Sequence, residues 1–186
     1  MEKIEMTNDK EKLFKNIFLT LIFVVAIILR LIPHLPNFVP ITALALFAGV
    51  YFSGPLAYLL PLLAMISTDI FLGFHSTMLF VYCSIILSVF IGQLARKKKN
   101  PLIILGATLT SSILFFLITN FGVWLTTNWY PATLAGLILC FQMAIPFFRN
   151  SLSGDFFYAI IFFGSYEFAV KYILNKSGVK HVTGKI

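Results

Sequence analysis

The chain has 186 residues, of which 59% are hydrophobic, 16% aromatic and only 11% charged. Soluble domains carry about 25% charged residues, because a chain of this size has to cover its core with polar surface. The composition therefore excludes a soluble enzyme and an intrinsically disordered chain, and it favours a protein whose solvent is the hydrocarbon of a lipid bilayer.

The net charge of +7 comes from basic residues whose positions are typical of membrane topology signals. A basic run at 96–99 separates two apolar stretches, and most other basic residues lie in the two tails. This placement follows the positive-inside pattern, so no nucleic-acid partner is expected. Cys83 and Cys140 both lie inside apolar runs, so no disulfide framework is predicted.

The apolar stretches predict membrane-spanning helices in chain order. Residues 1–12 form a polar tail, and 13–30 predict a first helix that is retained, because no small-residue cleavage site of a signal peptide follows it. With a requirement of about 17–25 residues for each span, further spans are predicted at 38–53, 55–74, 77–94, 101–124 and 153–175. A basic tail, 176–186, ends the chain.

The stretch 129–150 is apolar enough to span a membrane, but Pro146 interrupts it near its end. With the amino terminus inside, the basic run at 96–99 is also inside after four crossings. The sequence predicts an all-α, polytopic helix bundle of six transmembrane helices, in which 129–150 is an outer re-entrant or capping segment. The alternative is seven spans, which would place the basic tail outside. In either case 13–175 form a single transmembrane domain.

Polar side chains from several independent segments reach the outer face under the six-span topology. Ionisable groups inside a membrane cost about 2.5–3.5 kcal/mol each and indicate function or pairing. The predicted substrate-binding residues are Arg30, His34, Asn37, Asp69, His75, Asn120, Trp124, Tyr130, Arg149 and Asp155. Trp129, Phe147 and Phe148 would add flat apolar walls. Two interpretations stay open: an outward pocket for a ring-bearing ligand, and bracing of helices by Arg–Asp pairs.

Two further spacings carry structural predictions. Glu167 lies about 18 Å along the helix from Asp155, near the inner boundary, and four residues before Lys171, which predicts an i,i+4 ion pair. Ala45 and Gly49 have the small-xxx-small spacing of close helix packing, either within the chain or against a partner.

Sequence motifs of enzymes are absent from the chain. No metalloprotease, serine hydrolase, dithiol or phosphate-binding motif occurs, so no catalytic residue, metal site or cofactor is predicted. An intramembrane enzyme that acts on a lipid is a third interpretation, and it would use an acid/base pair such as Asp69 with His75.

Five segments of the chain resemble an uncharacterised family of bacterial membrane proteins: RLIPHLPNFVPITALALFAGVYF, STDIFLGFH, TNFGVWL, YPATLAGLILCFQMAIPFFRNSLSGD and FGSYE. The likeness covers about residues 29–168. That family is regarded as similar to the S components, the substrate-binding subunits of energy-coupling-factor vitamin transporters. The resemblance implies a six-helix bundle in the bacterial plasma (inner) membrane, with both termini cytoplasmic and a pocket near the outer face for a vitamin-like molecule.

The resemblance also implies a coupling transmembrane subunit with paired ATPases. Classical S components dock on that subunit through an Ala-xxx-Ala pattern in the first helix, and FLTLIFVVAIILR here lacks it. A coupled importer and a solitary transporter both stay open. The predicted function is import of a small vitamin-like or ring-bearing nutrient, and the alternative is a structural or assembly membrane protein without a small-molecule ligand.

Overall fold

The computed structural model describes residues 2–176, which form six α-helices, one short 3-10 turn and no strand. The helices are α1 (Glu2–Leu31), α2 (Ile41–Tyr51), α3 (Leu56–Leu72), α4 (Met78–Ala95), α5 (Pro101–Thr126) and α6 (Leu134–Lys176), and the 3-10 turn is Arg96–Lys98. The all-α prediction is confirmed. The first helix begins within the predicted polar tail, and 177–186 of the basic tail lie outside the described residues.

Three segments are long and apolar enough to cross a bilayer, namely Met78–Lys98, Pro101–Thr126 and Leu134–Tyr172. Three shorter apolar helical segments accompany them: Asn16–Leu31, Ile41–Tyr51 and Leu56–Leu72. The outer surface of the bundle carries many large apolar side chains, such as Phe71 (79% exposed) and Leu102 (77% exposed). A soluble monomer rarely exposes so much apolar surface, whereas a lipid-facing surface has this character.

The bundle has two ends. The end that carries the α2–α3 and α4–α5 connections also carries Arg96 and the lysines that follow it, and it is called the basic end here. There Tyr58 donates a 3.0 Å hydrogen bond to Gln93. The opposite, distal end carries the other three connections, and the Asn150 side chain there donates a 3.1 Å hydrogen bond to the Pro36 carbonyl.

Helix α2 is the centre of the bundle, and every residue from Ile41 to Val50 is buried. It contacts all five other helices, α4 most extensively. At Gly49 a Cβ atom would lie 2.1 Å from the Val89 carbonyl oxygen and 2.9 Å from the Gly92 Cα atom. The small-xxx-small spacing that ends at Gly49 therefore packs against α4 within the chain.

Helix α2 is shorter than the predicted span 38–53, because irregular backbone and Pro40 precede its start and Arg96 binds the carbonyl groups at its end. Its 11 residues are about 16 Å long. Pro40 precedes the helix, after an irregular segment in which Asn37 has a φ of 61°. At the other end, the Arg96 guanidinium donates hydrogen bonds of 3.0 Å to the carbonyl oxygens of Gly49 and Val50, which satisfies the last turn.

The region 129–150 does not form an element of its own, which corrects the predicted re-entrant or capping segment. Helix α6 begins at Leu134 and continues through Pro146 to Lys176. Pro146 removes one backbone donor, but no glycine or second proline adjoins it to end the helix. The described residues therefore form no seventh helix.

Candidate functional site

Helices α5 and α6 separate in the distal half of the bundle. The Cys140 thiol lies 3.4 Å from the Asn120 carbonyl oxygen, and the Ser112 hydroxyl donates a 2.6 Å hydrogen bond to Asp155 Oδ2. These two contacts are about 12 Å apart along α5 but about 22 Å apart along α6. Since the α6 path is longer, α6 departs from α5 between the contacts, and Pro146 lies within that departure.

The departure encloses a cavity of about 290 Å³, which we call the distal cavity. Ligand pockets have volumes of roughly 300–1,000 Å³, so this cavity is at the lower limit of that range and has room only for a small ligand. Its aromatic lining residues are Phe115, Phe116, Trp129, Tyr130, Phe147 and Phe148. Its polar lining residues are Asn37, Ser112, Thr119, Asn120 and Ser151. The rings of Phe116 and Phe148, 4.5 Å apart between centroids, join the two helices across one wall.

A buried carboxylate lies beneath the distal cavity, behind Ser112. Asp155 is 3% exposed, and the Ser112 hydroxyl separates it from the cavity. The Thr42 side chain, in the first turn of α2, also lies near the Asp155 carboxylate. The positive end of the α2 dipole is therefore next to the carboxylate. In the part of the chain that the structure describes, no lysine or arginine pairs with Asp155.

A second polar cluster, which we call the Arg30 network, lies outside the distal cavity. Arg30 forms a 2.6 Å ion pair with Asp69 Oδ1, and it also donates to the Thr68 hydroxyl and to the Met65 carbonyl oxygen. Tyr82 donates a 2.7 Å hydrogen bond to the other carboxylate oxygen of Asp69. The Asp69 side chain is only 2% exposed. The network thus ties α1 and α4 to α3.

The sequence of the chain matches one known protein family. Residues 10–177 match the sequence model of a family of unknown function, DUF6580. The chain belongs to the DUF6580 family. No curated protein and no solved structure matches the chain. The match confirms that the quoted motifs belong to an uncharacterised family.

In this DUF6580 protein, four of the ten predicted binding residues lie at the distal cavity or directly beneath it. Asn37, Asn120 and Tyr130 line the cavity. Asp155 adjoins it through Ser112. Asp155 was predicted at the outer start of the last helix, but it lies near the middle of α6, because that helix begins at Leu134.

The other six predicted residues do not line the distal cavity. Arg30 and Asp69 are held in the Arg30 network. Trp124 donates its indole N–H to the Pro131 carbonyl oxygen at 3.0 Å, which fixes the α5–α6 connection. Arg149 is exposed, and it forms no ion pair with any residue that the structure describes.

The two histidines of the distal end are exposed and make local contacts. Nδ1 of His34 lies 2.7 Å from the Ile32 carbonyl oxygen, and Nδ1 of His75 lies 2.8 Å from the Thr77 hydroxyl. The acid/base pair of His75 with Asp69, which an intramembrane enzyme would use, is therefore not formed, since both Asp69 oxygens accept from other side chains.

At the basic end, Glu167 differs from its predicted arrangement. The Tyr51 hydroxyl donates a 2.5 Å hydrogen bond to Glu167 Oε1. Within residues 2–176 there is no ion pair between Glu167 and Lys171. The last residue of α2 reaches the carboxylate because α2 runs beside α6 to this end.

Sequence reasoning missed the hydroxyl groups that contact the buried charged side chains: Ser112 at Asp155, Tyr82 at Asp69 and Thr68 at Arg30. A signal was present in α5, where residues 108–112 read TLTSS inside an otherwise apolar helix. Hydroxyls in such a helix bond either to their own backbone or to a neighbouring helix. The Ser112 hydroxyl oxygen is within reach of both kinds of partner, 2.6 Å from Asp155 Oδ2 on α6 and 3.0 Å from the Thr108 carbonyl oxygen of its own helix.

Proposed function

We propose that this protein is a multipass membrane transport protein that binds a small, ring-bearing nutrient in the distal cavity and imports it. The observation that supports the proposal is the cavity itself, which pairs six aromatic rings with a few polar groups above a buried carboxylate. Flat apolar walls accommodate a ring, and isolated polar groups orient it. A polar or ionisable group within an apolar bundle indicates a substrate or ion pathway.

The orientation in the proposal follows from charge. Lysines 97–99 at the basic end belong on the cytoplasmic side by the positive-inside rule. Six helices that cross in alternation then place both termini in the cytoplasm of a bacterial cell and open the distal cavity to the outside. The irregular segment before α2 is compatible with this depth, because non-helical backbone is tolerated in a membrane where it lines a cavity, as Asn37 does.

The resemblance to the S components of energy-coupling-factor transporters extends the proposal to vitamin-like ligands and leaves two modes of import. A coupled importer would dock α1 on a transmembrane subunit with ATPases. The exposed face of α1 carries large side chains, including Leu21, Val24 and Ile28, rather than small ones. This surface favours the solitary mode, because close helix docking in membranes uses small residues.

Ligand binding is tested by thermal shift of the purified protein in detergent against a panel of ring-bearing vitamins. We expect at least one compound to raise the melting temperature in a dose-dependent way. Asn120→Leu should weaken its binding about ten-fold, because a polar lining group is replaced by one of similar size. Asn16→Leu is the matched control, since Asn16 lies on α1 and outside the cavity. No shift with any compound, or equal shifts in wild type and Asn120→Leu, would contradict the proposal.

A structural or assembly role without a ligand is the second candidate, and the Arg30 network favours it. Its ion pair braces α1 against α3, and neither Arg30 nor Asp69 lines the distal cavity. Under this alternative Arg30→Ala lowers stability, and no cavity substitution changes uptake by cells. Import instead predicts that Asn120→Leu reduces uptake of the compound that binds while the protein stays folded.

A further inference from the structure

A second concavity, which we call the basic-end groove, lies between the start of α5 and the last part of α6. Its volume is about 350 Å³, and its walls are almost wholly apolar, with Ile104 and Leu105 on one side and Ile160 and Phe163 on the other. The groove is open at Gly164, where a Cβ atom would meet no other atom within 4 Å. It is separate from the distal cavity and shares no lining residue with it.

The mouth of the groove carries the cation of Lys99. The Lys99 ammonium lies 4.7 Å from the centre of the Tyr51 ring, a cation–π contact that holds it at the groove. Lys97 and Lys98 are exposed in the adjoining turn. Among the described residues that line the groove, the carboxylate is that of Glu167, and it accepts the hydrogen bond of the Tyr51 hydroxyl.

We infer that the basic-end groove binds one anionic phospholipid of the cytoplasmic leaflet, with an acyl chain between α5 and α6 and its phosphate at Lys99. The apolar walls of the groove match an acyl chain, and the cation at its mouth matches an anionic headgroup. Basic pockets between membrane helices on the cytoplasmic side bind such headgroups. The inference rests on the membrane orientation proposed above. It does not depend on transport or on a ligand in the distal cavity.

The test is native mass spectrometry of the delipidated full-length protein with added phosphatidylglycerol or phosphatidylcholine of identical acyl chains. We expect phosphatidylglycerol adducts to exceed phosphatidylcholine adducts about five-fold, because each nearby lysine favours the anionic headgroup. Lys99→Gln should remove this preference. Lys97→Gln is the matched charge control and should retain most of it, since Lys97 does not line the groove.

Gly164→Leu tests the slot itself. A Cβ atom at this position lies in open space, so the variant should fold with unchanged melting temperature, and a leucine side chain in the groove should weaken the binding of both lipids several-fold. Gly106→Leu is the control, because a Cβ there also meets nothing within 4 Å but Gly106 is outside the groove. Equal binding of the two lipids by wild type would overturn the inference. Displacement of the lipid by inorganic phosphate, or full binding by Gly164→Leu, would overturn it as well.

Discussion

Gly49 of α2 and Gly92 of α4 face each other at a crossing that leaves no room for a side chain on either helix. A Cβ atom on Gly92 would lie 2.3 Å from the Leu46 carbonyl oxygen and 2.9 Å from the Gly49 Cα atom. Each of these contacts is with backbone, which cannot rotate away as a side chain can. The closest approach of α2 and α4 is therefore set by two residues without side chains.

Gly92→Ala should separate these helices and destabilise the protein. We expect a loss of about 1–3 kcal/mol, the usual cost of overpacking, because α2 is enclosed by other helices and cannot shift freely. Thermal unfolding in detergent, followed by intrinsic fluorescence, measures the change. Gly106→Ala is the control and should be neutral or slightly stabilising, since a Cβ there is in open space. An unchanged melting temperature for Gly92→Ala would show that the crossing of α2 and α4 has room for a methyl group.

The Arg30–Asp69 ion pair should show strong coupling in a double-mutant cycle. Arg30→Met and Asp69→Leu each leave one buried charge without its partner, which costs about 3–5 kcal/mol. The double variant should lose much less than the sum of the two, because neither charge is then present. Arg149→Met is a matched control on an exposed arginine and should change stability by less than about 0.5 kcal/mol. Additive losses in the cycle would argue against a coupled pair.

Asp155→Asn should separate stability from function. The amide keeps an oxygen that can accept from Ser112 but carries no charge, and a buried charge without a cationic partner is costly. We therefore expect the melting temperature to stay the same or rise. Uptake of the panel compound that binds should fall about ten-fold, if the carboxylate serves the distal cavity. A less stable variant with normal uptake would assign Asp155 to structure alone.

The proposed orientation predicts which residues a membrane-impermeant maleimide can reach in intact cells. In a variant with Cys83 and Cys140 changed to serine, Asn128→Cys at the distal end should be labelled and Lys98→Cys at the basic end should not. Both should be labelled after permeabilisation, which controls for burial, and both positions are exposed. The reverse labelling pattern would show that the protein has the opposite orientation in the membrane.

Most helix positions could be predicted from the sequence, because long apolar runs bounded by proline or charge are sufficient to locate them. The predicted spans 77–94 and 101–124 differ from α4 and α5 by one or two residues. Helix α2 could not be delimited in this way, since Arg96, far away in the chain, satisfies its last carbonyl groups. The start of α6 was missed because Pro146 was interpreted as an end rather than as a position within a continuous helix.

The candidate site was less predictable, because apolar helices carry little periodicity to show which faces meet. Polar residues from several segments were expected in one outer cluster. The structure divides the acidic ones between two places, with Asp69 held by Arg30 and Asp155 by Ser112. The pairing of basic with acidic residues depends on which helices are neighbours. The neighbours of each helix are established only when the whole bundle packs.

The enclosure of α2 has a consequence for how the protein is made. Helix α2 has only 11 residues, of which Ile41–Val50 are buried, so it offers almost no surface to the lipid and is too short to be held in a bilayer by its own hydrophobic length. It cannot be an independent unit of insertion. Helix α2 must therefore enter the membrane together with its flanking helices. It can reach its final position only after α4 and α6, which are synthesised later, have packed around it.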